Sequence, residues 1–329
     1  MKYVKTKSFS IACDKDFKII NFADVHLVDA GSVIKNETIY KTIDYAIKTE
    51  APDIITLSGD NAWCENVVEY YKALCDFLDS YKTPYFVVFG NHDREHASAE
   101  ALAQVINSSE YGYIEKGGDD GSYGNYVVDI CKGNSPVHRI FMMDSRDYNK
   151  CTNYKYVENP VAGMHYYEVE GKKVYGTYVY DGIRDGQLNW YKSECELSGA
   201  ESTVITHMPI LEYIYAYEEY KSALNNGDLD TVNKFEPIGE CRQLEYICSS
   251  CRDFGFFDLI KSIGKTKNII CGHDHNNDFS ILYNGVRLTF AVKTGDSCYW
   301  HGSDMNGYTK ITVGADGKTA LEQCYYNLT

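Results

Sequence analysis

Three short runs of β-forming residues, Phe17–Phe22, 53–57 and 85–89, are separated by two stretches whose apolar residues recur at helical spacing. In the first stretch, 36–49, Ile39, Ile43, Ala46 and Ile47 share a face, and Pro52 blocks its continuation. In the second, 67–81, Tyr71, Leu74, Cys75 and Leu78 do the same. A strand–helix–strand rhythm with short connections demands right-handed crossovers and a parallel sheet at the centre of the fold. Further on, strands are expected at 125–130, 139–143, 202–205 and 268–271, with a helix at Asp185–Glu196 and a glycine-rich loop over 111–126. Hairpins are expected over 282–288 and from 308–313 to 321–326. No repeat, low-complexity tract or proline-rich linker interrupts the chain, which reads as a single domain over residues 1–329. The mixed, tyrosine-rich segment 208–239 reads as a rim or lid, and the alternation of Tyr213, Tyr215 and Tyr217 suggests a strand or rim loop.

Charge narrows the partners. Asp and Glu number 47 against 32 Lys and Arg, a net charge of −15. Such a surface repels polyanions, which excludes long nucleic acid and anionic membrane but leaves a small phosphate ester open. No apolar run approaches the ~20 residues needed to cross a bilayer. The first 18 residues hold no apolar leader core, so a soluble cytoplasmic protein is expected. Reduced thiols are expected for the 12 cysteines. Cys248 and Cys251 have C-x-x-C spacing, but no second pair completes a zinc site.

Five of the expected strands run into residues that bind metals. These are Asp24-Val25-His26, Gly59-Asp60, Gly90-Asn91-His92-Asp93, His207 and Gly272-His273-Asp274-His275. In an open α/β sheet the carboxyl ends of the strands meet at one edge, where ligands bind. Imidazole nitrogen and carboxylate oxygen suit manganese, iron or zinc. A carboxylate such as Asp60 can bridge two cations ~3.5–4 Å apart, an arrangement that acidifies water and neutralises phosphoryl oxygens. His92, beside Asn91, is placed to protonate a departing oxygen, with Asp93 as the candidate that orients its ring. Arg94 and His96 are candidates for substrate contact, with Arg146 and His301 behind them; His138 and His165 read as surface residues.

The five blocks, in this order, resemble the calcineurin-like metallophosphoesterases over about residues 17 to 301. The resemblance implies an α/β fold, a four-layer αββα sandwich with mixed sheets and a dinuclear metal site at the strand C-terminal edge. It implies Asp24, His26, Asp60 and His275 as ligands of one metal, and Asp60, Asn91, His207 and His273 as ligands of the other. Segments 124–126, 143–145, 187–190, 207–212 and 272–278 are similar to a purple-acid-phosphatase-like subgroup. Purple enzymes carry a tyrosine iron ligand three residues after the second aspartate, where this chain has Trp63, and lack the histidine that stands here as His26. The implied function is two-metal hydrolysis of phosphomonoesters by a metal-bridging hydroxide, with His92 as general acid. A cyclic-nucleotide-type phosphodiesterase is the alternative, and a non-catalytic scaffold on this fold is the third reading. The implied cofactors are two divalent ions and the implied partner is a small phosphate ester or phosphopeptide, with no obligate protein partner.

Overall fold

The computed structural model describes residues 5–12, 15–29, 36–118, 121–148, 155–158, 165–169, 172–175, 180–250 and 253–327. Two mixed sheets dominate these residues. In the first, the parallel strands Phe17–Phe22, Ile54–Ser58, Tyr85–Val88 and Gly112–Tyr113 lie side by side. The hairpin of Gly307–Val313 and Thr319–Tyr325 is added antiparallel along Phe17–Phe22. In the second, Ser135–Met142, Glu201–Ile205, Thr266–Cys271 and Val286–Phe290 run parallel. Tyr126–Lys132 and Ser280–Tyr283 pair antiparallel on either side, and Ser8–Ser10 adds a parallel edge.

Side-chain alternation along the strands builds the layers. Val128, Ile140, Ile205 and Ile270 point from the second sheet into a core shared with the first sheet and with helices α1 (Glu37–Glu50), α2 (Val67–Asp79) and α3 (Ala99–Ser108). Their neighbours Val127, Phe141, Val204 and Ile269 point the other way. That face is covered by α4 (Asp185–Glu196), α5 (Glu212–Asn225), α6 (Leu229–Lys234) and α7 (Phe256–Ile263). Helices, sheet, sheet, helices is the four-layer sandwich that the resemblance implied. Strands buried on both faces read as unbroken apolar runs, which is why they were visible in the sequence. Each fully buried Phe or Ile, such as Phe22, Phe86 or Ile19, contributes about 1.5–3 kcal/mol of transfer free energy.

Four expectations are corrected. Segment 208–239 contributes no lid: it folds into α5 and α6 and forms part of the outer layer. Tyr213, Tyr217 and Tyr220 are buried at helical rather than strand spacing, and the Tyr213 hydroxyl donates to the carbonyls of Ile269 and Thr289. His138 is not on the surface. It is wholly buried between the Gly317 carbonyl and the Thr203 hydroxyl, and burial lowers its pKa to about 4. The 111–126 loop contains the short strands Gly112–Tyr113, Lys116–Gly117 and Ser122–Tyr123. The described cysteines are all free thiols; Cys251 and the His165 side chain lie outside the described residues.

Candidate metal centre

The parallel strands of both sheets deliver their C-terminal loops to one place. The backbone there is strained: Asp24, His26, Asp60 and His273 hold φ of 52°, 47°, 51° and 77°. Each such non-glycine residue costs about 1–3 kcal/mol and persists only where its surroundings over-determine it. The glycines of the motifs make room for the donors. A Cβ added at Gly90 would sit 2.0 Å from Asp60 Oδ1, and one at Gly272 would sit 2.5 Å from Asp24 Oδ2.

Asp60 stands at the centre. Its Oδ1 accepts from the His92 amide at 2.9 Å, while its Oδ2 lies 3.6 Å from His26 Nε2 and 3.3 Å from His207 Nε2. On one side, His275 Nε2 is 3.0 Å from His26 Nε2 and 3.6 Å from Asp24 Oδ1. On the other, His207 Nε2 is 3.2 Å from both Asn91 Oδ1 and His273 Nδ1. All seven residues are buried. The sequence-predicted donors thus form two groups that share Asp60.

Their chemistry fits cations. His207 Nδ1 faces the Ser58 carbonyl at 2.9 Å, and His275 Nδ1 faces the Tyr299 carbonyl at 2.7 Å. A carbonyl only accepts, so each Nδ1 carries a proton and each ring turns its Nε2 inward, the nitrogen that can offer a lone pair to a cation. For His207 that nitrogen faces the acceptors Asn91 Oδ1 and Asp60 Oδ2. Acceptors facing acceptors in a dry site require a positive charge between them. His26 Nδ1 and His273 Nε2 are also buried without a hydrogen-bond partner among the described residues.

Protonation states agree. Burial disfavours charge on Asp24, but the hydrogen bond and charge of His275 hold it down to about 2. Burial likewise opposes ionisation of Asp60, and His207 and His26 keep it well below the usual carboxylate range. Burial pushes His26 well down and, with the charge of His207, lowers His273 to about 3. Only His207 rises, to about 9, because the Asp60 carboxylate outweighs its burial; a proton there supplies the positive charge that the donor set demands.

His92 stands at the mouth of this cluster, its ring 5.5 Å from that of His26. Its Nδ1 is held by Glu95 Oε1 at 2.8 Å, not by Asp93. Glu95 Oε2 accepts from the Trp63 indole at 2.8 Å, and the Trp63 ring packs on His92 at 4.4 Å between centroids. Asp93 turns into the core and accepts from the amides of Asn61, Ala62 and Gly90, tying two motif loops together. Burial and the Asp60 charge raise its pKa to about 6. Over the cluster lies an open cleft of about 630 Å³, lined by Asp60, His92, His273 and His275. Its walls add the rings of Trp63, Tyr148, Tyr180, Tyr246 and Tyr299, the carboxylates Glu95, Glu245 and Asp274, and the thiols Cys248 and Cys298.

The family model for calcineurin-like phosphoesterases matches residues 17–277. The chain belongs to this family. A probable inactive purple acid phosphatase 14 of Arabidopsis thaliana is 23% identical over 341 residues, spanning 91% of this chain and 73% of that protein. A probable inactive purple acid phosphatase 28 of the same plant is 24% identical over 352 residues, spanning 92% and 77%. Among solved structures, a dimetal phosphatase from Danio rerio aligns with a TM-score of 0.53 at 12% identity, covering 94% of this chain and 99% of that one. That likeness is one of fold.

In this calcineurin-like phosphoesterase the expected substrate contacts are not among the described residues that line the cleft. Arg94 is largely buried and bonds to Asp144 at 3.2 Å, with Asp147 at 3.9 Å. His96 is exposed and lies outside the described cleft lining. Arg146 donates to Gln187 at 3.2 Å, and His301 is exposed outside the lining. Sequence reasoning missed Glu95, Tyr148, Tyr180, Glu245 and Tyr299. Only Glu95 had a readable signal, its spacing of three residues from His92.

Proposed function

We propose that this chain is a metal-dependent phosphoester hydrolase in which His92 is the general acid and Glu95 its positioning partner. The observation that carries the reading is the pair of donor groups sharing Asp60, with His92 facing them across the cleft. When bound, two divalent cations supply Lewis acidity to the phosphoryl oxygens and lower the pKa of water. Asp24, His26, Asp60 and His275 would hold one, and Asp60, Asn91, His207 and His273 the other. The buried site keeps Asp24 and Asp60 ionised and His26, His273 and His275 uncharged, and a bound cation would take the place of the proton on His207. His92 delivers the proton on its Nε2 to the departing oxygen, while Glu95 holds the other ring proton on Nδ1 and so turns Nε2 to the cleft. The curated relatives are named inactive; here all seven donors and His92 are present and converge, which supports turnover.

Phosphomonoesters are the first reading, because a dianion gains more from two cations than a monoanion does. The cleft favours a second reading, phosphodiesters. The segment 208–239 does not crowd the cleft, and no Lys or Arg is among its described lining residues. One assay decides: kcat/KM for nitrophenyl phosphate against bis-nitrophenyl phosphate and cyclic AMP, at one metal and pH. Faster monoester turnover supports the first reading, and a diester preference of about tenfold, 1.4 kcal/mol in the barrier, supports the second. Hydrolysis of none of them, with metal loaded, would sink both.

The role of Glu95 has its own expected outcome. Glu95→Ala should keep metal content and KM but lower kcat about tenfold or more, short of the ~10²–10⁴-fold that loss of the acid itself costs. In a His92→Ala background the same change should cost nothing further, because Glu95 acts through that ring. Additive losses would give Glu95 a separate role.

A further inference from the structure

One donor lies beyond the residues that the family model matches. Cys298 sits in the loop that follows strand Val286–Phe290, outside the matched 17–277. The loop is fastened to the first metal half at three points. Lys293 Nζ donates to the Asp24 carbonyl at 2.6 Å, Ser297 Oγ to the Val25 carbonyl at 2.9 Å, and the Tyr299 carbonyl accepts from His275 Nδ1 at 2.7 Å. The Tyr299 ring stacks on His275 at 4.1 Å between centroids. Held this way, Cys298 Sγ and a ring nitrogen from each of His26 and His275 all lie within 4.8 Å of one another.

That distance is informative. Two ligand atoms on opposite sides of one cation stand at most about 4.4 Å apart, the sum of a ~2.1 Å bond to nitrogen and a ~2.3 Å bond to sulfur. In tetrahedral geometry the same bonds put nitrogen and sulfur about 3.6 Å apart, so a thiol within 4.8 Å of both rings lies close to the reach of a shared ion. His26 adds a second pointer: it is wholly buried, and its Nδ1 has no hydrogen-bond partner among the described residues. Cys248, the other thiol of the cleft wall, belongs to none of the donor groups.

We propose that Cys298 supplies a thiolate ligand to the cation held by Asp24, His26 and His275. Binding releases the thiol proton to solvent, and a sulfur–metal bond forms in its place. The two halves of the centre then differ in softness. A thiolate selects zinc or ferrous iron over manganese, whereas Asn91, His207 and His273 present only nitrogen and oxygen. The proposal rests on the metal-centre reading and not on turnover, so its test is spectroscopic.

The protein is stripped with chelator and reloaded with zinc or cobalt(II). X-ray absorption of the zinc form should show a sulfur at about 2.3 Å beside nitrogen and oxygen at about 2.0–2.1 Å. The cobalt form should show a near-ultraviolet sulfur-to-metal charge-transfer band. Cys298→Ser should lose both signals and weaken one of the two metal equivalents about tenfold or more. Cys248→Ala should keep both signals. A metal-loaded wild-type protein with only nitrogen and oxygen around the ion would overturn the proposal and leave the metal centre standing. Failure to bind either ion would overturn the metal centre itself, and the proposal with it.

Discussion

Asp60→Ala should empty the centre of both cations and abolish turnover. Among the described residues, Asp60 Oδ2 is the carboxylate oxygen that faces both His26 and His207, at 3.6 and 3.3 Å. Removing it takes a ligand from each group at once. It also leaves the inward histidines without the charge that now raises His207. Two-cation stabilisation supplies several kcal/mol, so the loss in kcat/KM should be about 10³-fold or greater. Since Asp60 also accepts from the His92 amide, Asp60→Asn is the companion variant: it keeps an oxygen for that bond but not the negative charge. Elemental analysis of both variants checks the result. Full metal content in Asp60→Asn would show that the carboxylate is not the shared ligand.

His92→Ala should do the opposite, keeping metal and losing chemistry. The His92 ring takes no place in either donor group; it bonds to Glu95 and packs against the rings of Trp63 and His26. General acid catalysis is worth about 10²–10⁴-fold, and the loss should follow the leaving group. It should be greatest for an alkyl ester, whose alkoxide needs a proton to depart. It should be least for nitrophenyl phosphate, whose phenolate leaves unaided. An equal loss across such a series would assign His92 to substrate positioning instead of proton transfer.

The donors of the centre were legible because each follows a strand directly, and a strand of this fold can point its C-terminal loop in one direction only. Asp24, Asp60, Asn91, His207 and His273 are placed by topology, which the apolar runs announce. The surroundings of His92 were not legible in the same way. Sequence adjacency nominated Asp93 and Arg94, but residues 92–94 form a 3₁₀ turn. Three residues per turn bring positions i and i+3 onto one face, so Glu95 joins His92 while Asp93 turns to the core. Arg94 followed the same rotation away from the cleft, to Asp144. The segment 208–239 misled because Tyr213, Tyr215 and Tyr217 fit a period of two. Tyr213, Tyr217 and Tyr220 fit helical spacing, and the apolar outer face of the second sheet selected the helix. His138 looked like a surface residue because its partners, Thr203 and Gly317, lie 65 and 179 residues away. The cleft walls come from loops equally remote in sequence, among them Tyr148, Tyr180, Glu245 and Tyr299.

The central claim is that the two donor groups around Asp60 hold two cations that together hydrolyse phosphoesters. Protein stripped with chelator and titrated with one divalent ion, with bound metal and turnover measured in each sample, tests it most directly. The account predicts that binding saturates at two ions per chain and that turnover of nitrophenyl phosphate or its diester rises as the second ion binds. Saturation at one ion, or two bound ions with no turnover of either ester, would contradict it.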